Sequence, residues 1–162
     1  MTDILSKMEQ LILYEGQTFV TLRGLNPDVL PPRALLAGIA GRGVNLDIIT
    51  QTPHTGGDIT FSFSLPDSGL GQIMQLLAEW KRADPDLRAE VNSGNLILAL
   101  LSPAMVETPG MAAAVYEFFD AAGVRIQLIT TSDVSISCLF AAADEMNVHK
   151  LLAERDVKII QE

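Results

Sequence analysis

Two stretches, Val44-Asn45-Leu46-Asp47-Ile48-Ile49-Thr50 and Val124-Arg125-Ile126-Gln127-Leu128-Ile129-Thr130, share a valine, alternating apolar positions and a closing Ile-Thr. The pattern reads as a half-buried strand. Each stretch leaves a glycine stop, Gly41-Arg42-Gly43 in one case and Gly123 in the other. Before each stop lies a helical pattern, from Arg33 through Leu35, Leu36 and Ile39, and from Pro109 to Ala122. Pro32 and Pro109 stand in the first turns, where a missing amide costs nothing. Outward from these anchors the surroundings also match. Strands are expected at Thr18–Leu22 and Leu96–Leu101 before the helices, and at Asp58–Leu65 and Val134–Ala141 after the shared motif. Helices Gly71–Arg82 and Asp144–Glu154 follow, and Val157–Ile160 is a final strand. On Asp58–Leu65 the alternation puts Ile59, Phe61, Phe63 and Leu65 inside and Thr60, Ser62 and Ser64 toward water.

The order β, α, β, β, α, β occurs twice. The expected fold is therefore α+β, with two ferredoxin-like βαββαβ repeats, antiparallel sheets and the helices on one face. The division expected is a leading helix in residues 1–16, a first repeat in 17–92 and a second in 93–162. The leading helix rests on Ile4, Leu5, Met8, Leu11 and Ile12, spaced as one apolar stripe within Thr2–Leu13. Such a stripe needs something to pack on and favours a dedicated protein over a cut fragment. Leu87–Val91 is either a short strand or a linker, and the final strand can complete either repeat. The open edges and sheet faces call for cover by the other repeat or by a second chain, hence a homodimer.

The 162 residues are 48% hydrophobic and 19% charged, enough apolar surface to fold. Eleven basic against 20 acidic residues give a net charge of -9, a field that disfavours nucleic acid and anionic membranes. The apolar runs are too short to cross a bilayer, and a cytoplasmic protein is expected. Cys138, the single cysteine, excludes an internal disulfide and fits as a small buried hydrophobe. His54 and His149 are far apart and are not set among ligand-spaced neighbours, so no metal is expected, nor any cofactor. No Ser/His/Asp motif, phosphate loop or dinucleotide fingerprint is present, and Gly41-Arg42-Gly43 leads into a strand rather than a helix, so no catalytic residue is assigned. Trp80 and the Phe118-Phe119 pair read as core or interface anchors.

The run Ser102–Gly123 with its Pro109-Gly110-Met111-Ala112 helix entry, followed by Val124–Phe140, resembles the second ACT repeat of aspartate kinases. Val44–Gln51 and Asp58–Phe63 resemble the first, so the similarity extends over nearly everything after Gln17, without a kinase domain. The resemblance implies a non-enzymatic regulatory protein that binds a small amino acid, of the lysine or threonine class, where two ACT repeats meet, usually across a dimer. Carried over by position, Asn45, Asp47 and Gln51 are the ligand-binding residues of the first repeat, and Thr131, Ser132 and Asp133, with Arg125 beside them, those of the second. A helix N-terminus suits the α-carboxylate and a side-chain carboxylate the α-ammonium. The bland alternatives stay open: Asp47 and Arg125 as solvated strand residues, and Thr130–Asp133 as a plain turn. Two departures stand out: Pro31-Pro32-Arg33 replaces the family's Pro-Gly, and Arg125 stands where it commonly has asparagine. They support a rival in which the fold is kept as a ligandless interaction module. A ferredoxin-like enzyme is a third possibility, for which no residues were found.

Overall fold

A computed structural model describes residues 4–161. The chain divides into two compact units, one formed by Gln17–Ser93 and the other by Met1–Gly16 with Gly94–Glu162.

The Gln17–Ser93 unit runs through the second part of β1 (Gln10–Leu25), α1 (Pro32–Gly41), β2 (Ile49–Pro53), β3 (Ile59–Pro66), α2 (Leu70–Ala83) and the first part of β4 (Arg88–Leu101). Its strands lie in the order β2-β3-β1-β4, with β3 antiparallel to both β1 and β2. This is the split βαβ order expected for a ferredoxin-like repeat. Phe61, Phe63 and Leu65 of β3 share a core with Leu35 and Ile39 of α1 and with Ile73, Leu76, Leu77 and Trp80 of α2, so both helices cover one sheet face. Trp80 is a core residue.

The other unit runs from the remainder of β4 through α3 (Met111–Ala121), β5 (Ile126–Thr131), β6 (Ser135–Phe140), α4 (Glu145–Leu152) and β7 (Val157–Gln161). It repeats the plan with one addition, because the first part of β1 enters beside β4 and carries β7 on its other edge. Leu11–Glu15 pair with Val157–Gln161 in parallel, so the final strand completes this second unit. Phe119 packs on Phe140 with ring centroids 4.7 Å apart, and Val115, Cys138 and Val148 share the same core. Phe118 is half-buried, with the Arg155 guanidinium 5.5 Å above its ring.

Three expectations need correction. The leading helix is not formed: Ile4–Lys7 make one 3-10 turn, and Gln10 begins a 16-residue strand; the first two residues of the expected helix lie outside the described residues. Leu11 and Leu13 are buried while Ile12 and Tyr14 are half-buried, because neighbours flank the strand on both edges. A strand enclosed in this way carries a near-continuous apolar run, which also satisfies a helical template. The strand expected over Val44–Thr50 begins only at Ile49, because the chain bends at Asp47; of the two readings of Leu87–Val91 the strand holds, since Arg88 starts a strand that continues to Leu101. Ser62 and Ser64 do not face water and are 5% and 0% exposed. Ser62 lies on a central strand between Thr21 and Thr50, whose longer side chains cover it.

Candidate functional site

The two shared motifs begin with the same backbone joint. At the end of α1 the Gly43 N–H donates to the Ala40 carbonyl at 2.9 Å, and the Val44 N–H to the Ile39 carbonyl at 3.4 Å. At the end of α3 the Gly123 N–H donates to Asp120 at 2.9 Å and the Val124 N–H to Phe119 at 3.0 Å. Both glycines have φ of +72°. This paired bonding with a left-handed glycine is the Schellman closure, and the valine after it packs back toward the helix. The Gly-Val step common to the two halves is thus a requirement of the turn.

After the joint each chain is irregular before it becomes an edge strand. In the first unit Val44 and Leu46 pack on the core and the chain bends at Asp47. The Asp47 N–H donates to the Ser64 carbonyl at 3.1 Å, and the Ile48 N–H to the Ser64 hydroxyl at 2.9 Å. Ser64 is buried because it supplies this bond, a role that simple alternation does not reveal. In the second unit the register between β5 and β6 shifts between Ile126 and Leu128, which places the irregularity at Gln127. The motif aligns Gln127 with Asp47 and Arg125 with Asn45.

Asn45, Asp47 and Gln51 are all exposed, the first two on the bent segment and Gln51 on edge strand β2, opposite Phe61. Burial around the Asp47 carboxyl nevertheless pushes its pKa above the ordinary value of 3.8. Arg125 is exposed just before edge strand β5. Thr131 ends β5, Ser132 and Asp133 begin the exposed turn into β6, and this turn is closed from within. The Ser132 hydroxyl accepts the N–H groups of Val134 at 3.3 Å and Ser135 at 3.1 Å and lies 2.8 Å from the Ser135 hydroxyl. Its geometry is that of a local serine turn. Each set of three thus stands at a sheet edge of its own unit, and Gln127 holds the position in the second unit that Asp47 holds in the first.

The strand-to-helix loops differ as well. Ahead of α1, the Asn26 carbonyl accepts from Val29 and Leu30, and the Asn26 side chain accepts the Asp28 N–H at 3.0 Å. Pro31 and Pro32 then open the helix without a side-chain cap. Ahead of α3, a 3-10 turn at Pro103–Glu107 leads to Gly110 with φ of +89°, again without a side-chain cap. The α1 entrance has two backbone donors fewer, since neither Pro31 nor Pro32 carries an N–H.

Two ferredoxin-like repeats with helices on one face, each carrying a glycine-closed helix that feeds an irregular edge strand, make an α+β fold like that of ACT repeats. Residues 98–155 match the family model described as ACT domain. The chain is 28% identical over 136 residues to an aspartokinase of Geobacillus stearothermophilus, covering 80% of this chain and 32% of that protein. It thus spans about a third of the length of this curated relative. Among solved structures it is similar to aspartate kinase from Synechocystis, with TM-score 0.80 and 22% identity over 95% of this chain and 28% of the other. It is also similar to the regulatory subunit of aspartate kinase from Thermus flavus, with TM-score 0.76 and 18% identity over 91% of this chain and 97% of that subunit. The chain thus carries an ACT-domain match in its second unit and resembles the regulatory region of aspartate kinase. Among the described residues no helix is long and apolar enough to cross a membrane.

Proposed function

We propose that this chain is an amino-acid-sensing regulatory module of the aspartate-kinase type, without catalysis of its own and acting in the cytoplasm. Its first-unit segment Asn45–Gln51 binds the α-ammonium end of a small amino acid of the lysine or threonine class. Arg125 with Thr131, Ser132 and Asp133 forms the corresponding second-unit surface, and a homodimer brings ACT repeats together around the ligand. Effector binding then favours one arrangement of repeats by its difference in affinity between the two, and the bias is passed to a kinase partner. A fold neighbour, aspartokinase III of E. coli, was crystallised in complex with lysine and aspartate, at TM-score 0.56 and 22% identity.

The observation that carries this reading is the placement of Asp47, a carboxylate on the exposed bend between α1 and edge strand β2. Its carboxyl stands on an exposed bend, yet burial alone raises its pKa. An ammonium group beside it would favour the charged form and reverse that shift. The test is a thermal-shift screen of the full chain against the twenty amino acids, repeated with Asp47→Asn. A rise in midpoint with one amino acid, abolished in the variant, is the expected result; no rise at millimolar concentrations rejects the sensor. The rival, a ligandless module that associates through its sheet edges, draws support from Pro31-Pro32 and the self-contained Ser132 turn. It expects concentration-dependent dimerisation with no amino-acid effect.

A further inference from the structure

Away from both motif segments, one cluster in the second unit combines an imidazole with two carboxylates. Glu145 and His149 lie one turn apart on α4, and Glu15 comes from β1. One ligand-capable atom from each of the three falls within 4.8 Å of the others. His149 Nε2 is 2.6 Å from Glu15 Oε1, with the Glu15 side chain 13% exposed and that of His149 38% exposed. Gln161 on β7 donates its amide to the other Glu15 oxygen at 2.6 Å.

We propose that Glu15, Glu145 and His149 bind a divalent transition metal of the zinc class. The i, i+4 spacing puts the Glu145 and His149 side chains on one helix face, and the strand below supplies the third ligand. Imidazole nitrogen and carboxylate oxygen are both ligands that zinc takes, and three protein ligands leave a fourth position to water. Gln161 fixes the Glu15 carboxylate from behind, as outer ligand partners do around metal centres. The more exposed Glu145 and His149 leave the solvent side open for the ion to enter. In the absence of metal, the same His149–Glu15 contact is a hydrogen-bonded pair. A bound ion would join α4 to β1, two elements far apart in sequence, so it would also raise the melting temperature.

The test is calorimetric titration of the full chain with zinc chloride at pH 7.5, alongside Glu145→Gln, His149→Ala and the control His54→Ala. The expected result is one equivalent bound, weakened at least ~10-fold in Glu145→Gln and His149→Ala and unchanged in His54→Ala. Circular dichroism without metal checks folding, and if His149→Ala does not fold, the isosteric Glu145→Gln on the exposed side of α4 decides alone. Absence of stoichiometric binding overturns the proposal. Binding that survives Glu145→Gln, or that depends on His54, assigns the ion elsewhere and overturns it too.

Discussion

The first and second units use one backbone device and equip it differently. In both, a helix closes on a left-handed glycine, a valine folds back, and a bend or bulge precedes an edge strand. At the irregular position the first unit has Asp47 and the second Gln127; two residues earlier they have Asn45 and Arg125. The shared features are those that close a helix and start a strand. The features that diverge are the exposed side chains, which the backbone does not constrain. The joint presents a carboxylate and an amide in the first unit and a cation and an amide in the second, so the two differ in charge.

The largest effect that would test the comparison lies in the cores. Phe119 touches both Phe118, at 5.2 Å, and Phe140, at 4.7 Å, whereas Phe63 has Phe61 at 6.2 Å. Both Phe119 and Phe63 are fully buried. Truncation to alanine is expected to destabilise by about 3–5 kcal/mol in each case, the tighter Phe119 site at the upper end. Urea unfolding measures it; a clearly larger loss for Phe63→Ala would break the ranking.

A second contrast concerns reactivity. Cys138 occupies the position on β6 that corresponds to Phe63 on β3, and it is fully buried. Burial pushes its thiol up to about 12 from 9.0. The folded chain should therefore resist alkylation by iodoacetamide at pH 8 and react fully once unfolded in urea. Rapid labelling of the native protein would show that the second core opens where the first has a phenylalanine.

How far these features can be read from sequence follows from the range of the interactions involved. The helix stops and the succession of elements in Gln17–Ser93 follow from turn chemistry and period and were legible, whereas the first shared motif becomes strand only from Ile49. The first strand was not legible. Leu11, Ile12, Leu13 and Tyr14 form an apolar run that fits either template, and only the neighbours β4 and β7, far along the chain, decide it. The burial of Ser62 and Ser64 depends on cross-strand partners in the same way. The reading of His149 as lacking ligand-spaced neighbours overlooked Glu145, four residues earlier on α4, and Glu15 joins them only through the long-range pairing of β1 with β7. At the candidate site, the residues follow from the resemblance alone, whereas the inward bonding of the Ser132 hydroxyl depends on how the turn folds.

The joint itself yields a smaller, matched prediction. With φ of +72°, Gly43 and Gly123 hold a conformation that a β-carbon resists. Alanine at either site should cost about 1 kcal/mol, and the costs should be alike because the hydrogen bonding is the same. No neighbouring heavy atom lies within 4 Å of an added Cβ at either glycine, so the cost is conformational. Paired chemical denaturation measures the equality, and a cost confined to one glycine would mean that the two joints are not the same device.

The smallest effect separates charge from shape at Asp47. Because burial raises the folded-state pKa above the unfolded value, the folded protein holds the proton more tightly. The Asp47 contribution is thus most favourable below the ordinary value of 3.8 and is lost as pH rises through the higher folded value. Asp47→Asn should remove that loss, leaving the variant slightly more stable than the parent at neutral pH and not at pH 3. Glutamine at position 127 already lacks a charge, so Gln127→Ala should show no such pH dependence. Ser132→Ala, by contrast, should lower stability at every pH by up to about 1 kcal/mol, since it removes an acceptor shared by two backbone amides. Adding the effector should reverse the sign at Asp47 alone: with an ammonium seated beside it, the parent carboxylate gains at neutral pH and the asparagine variant does not. Melting curves across pH, with and without the amino acid found by screening, would display that reversal, and its absence would remove Asp47 from the site while leaving the fold untouched.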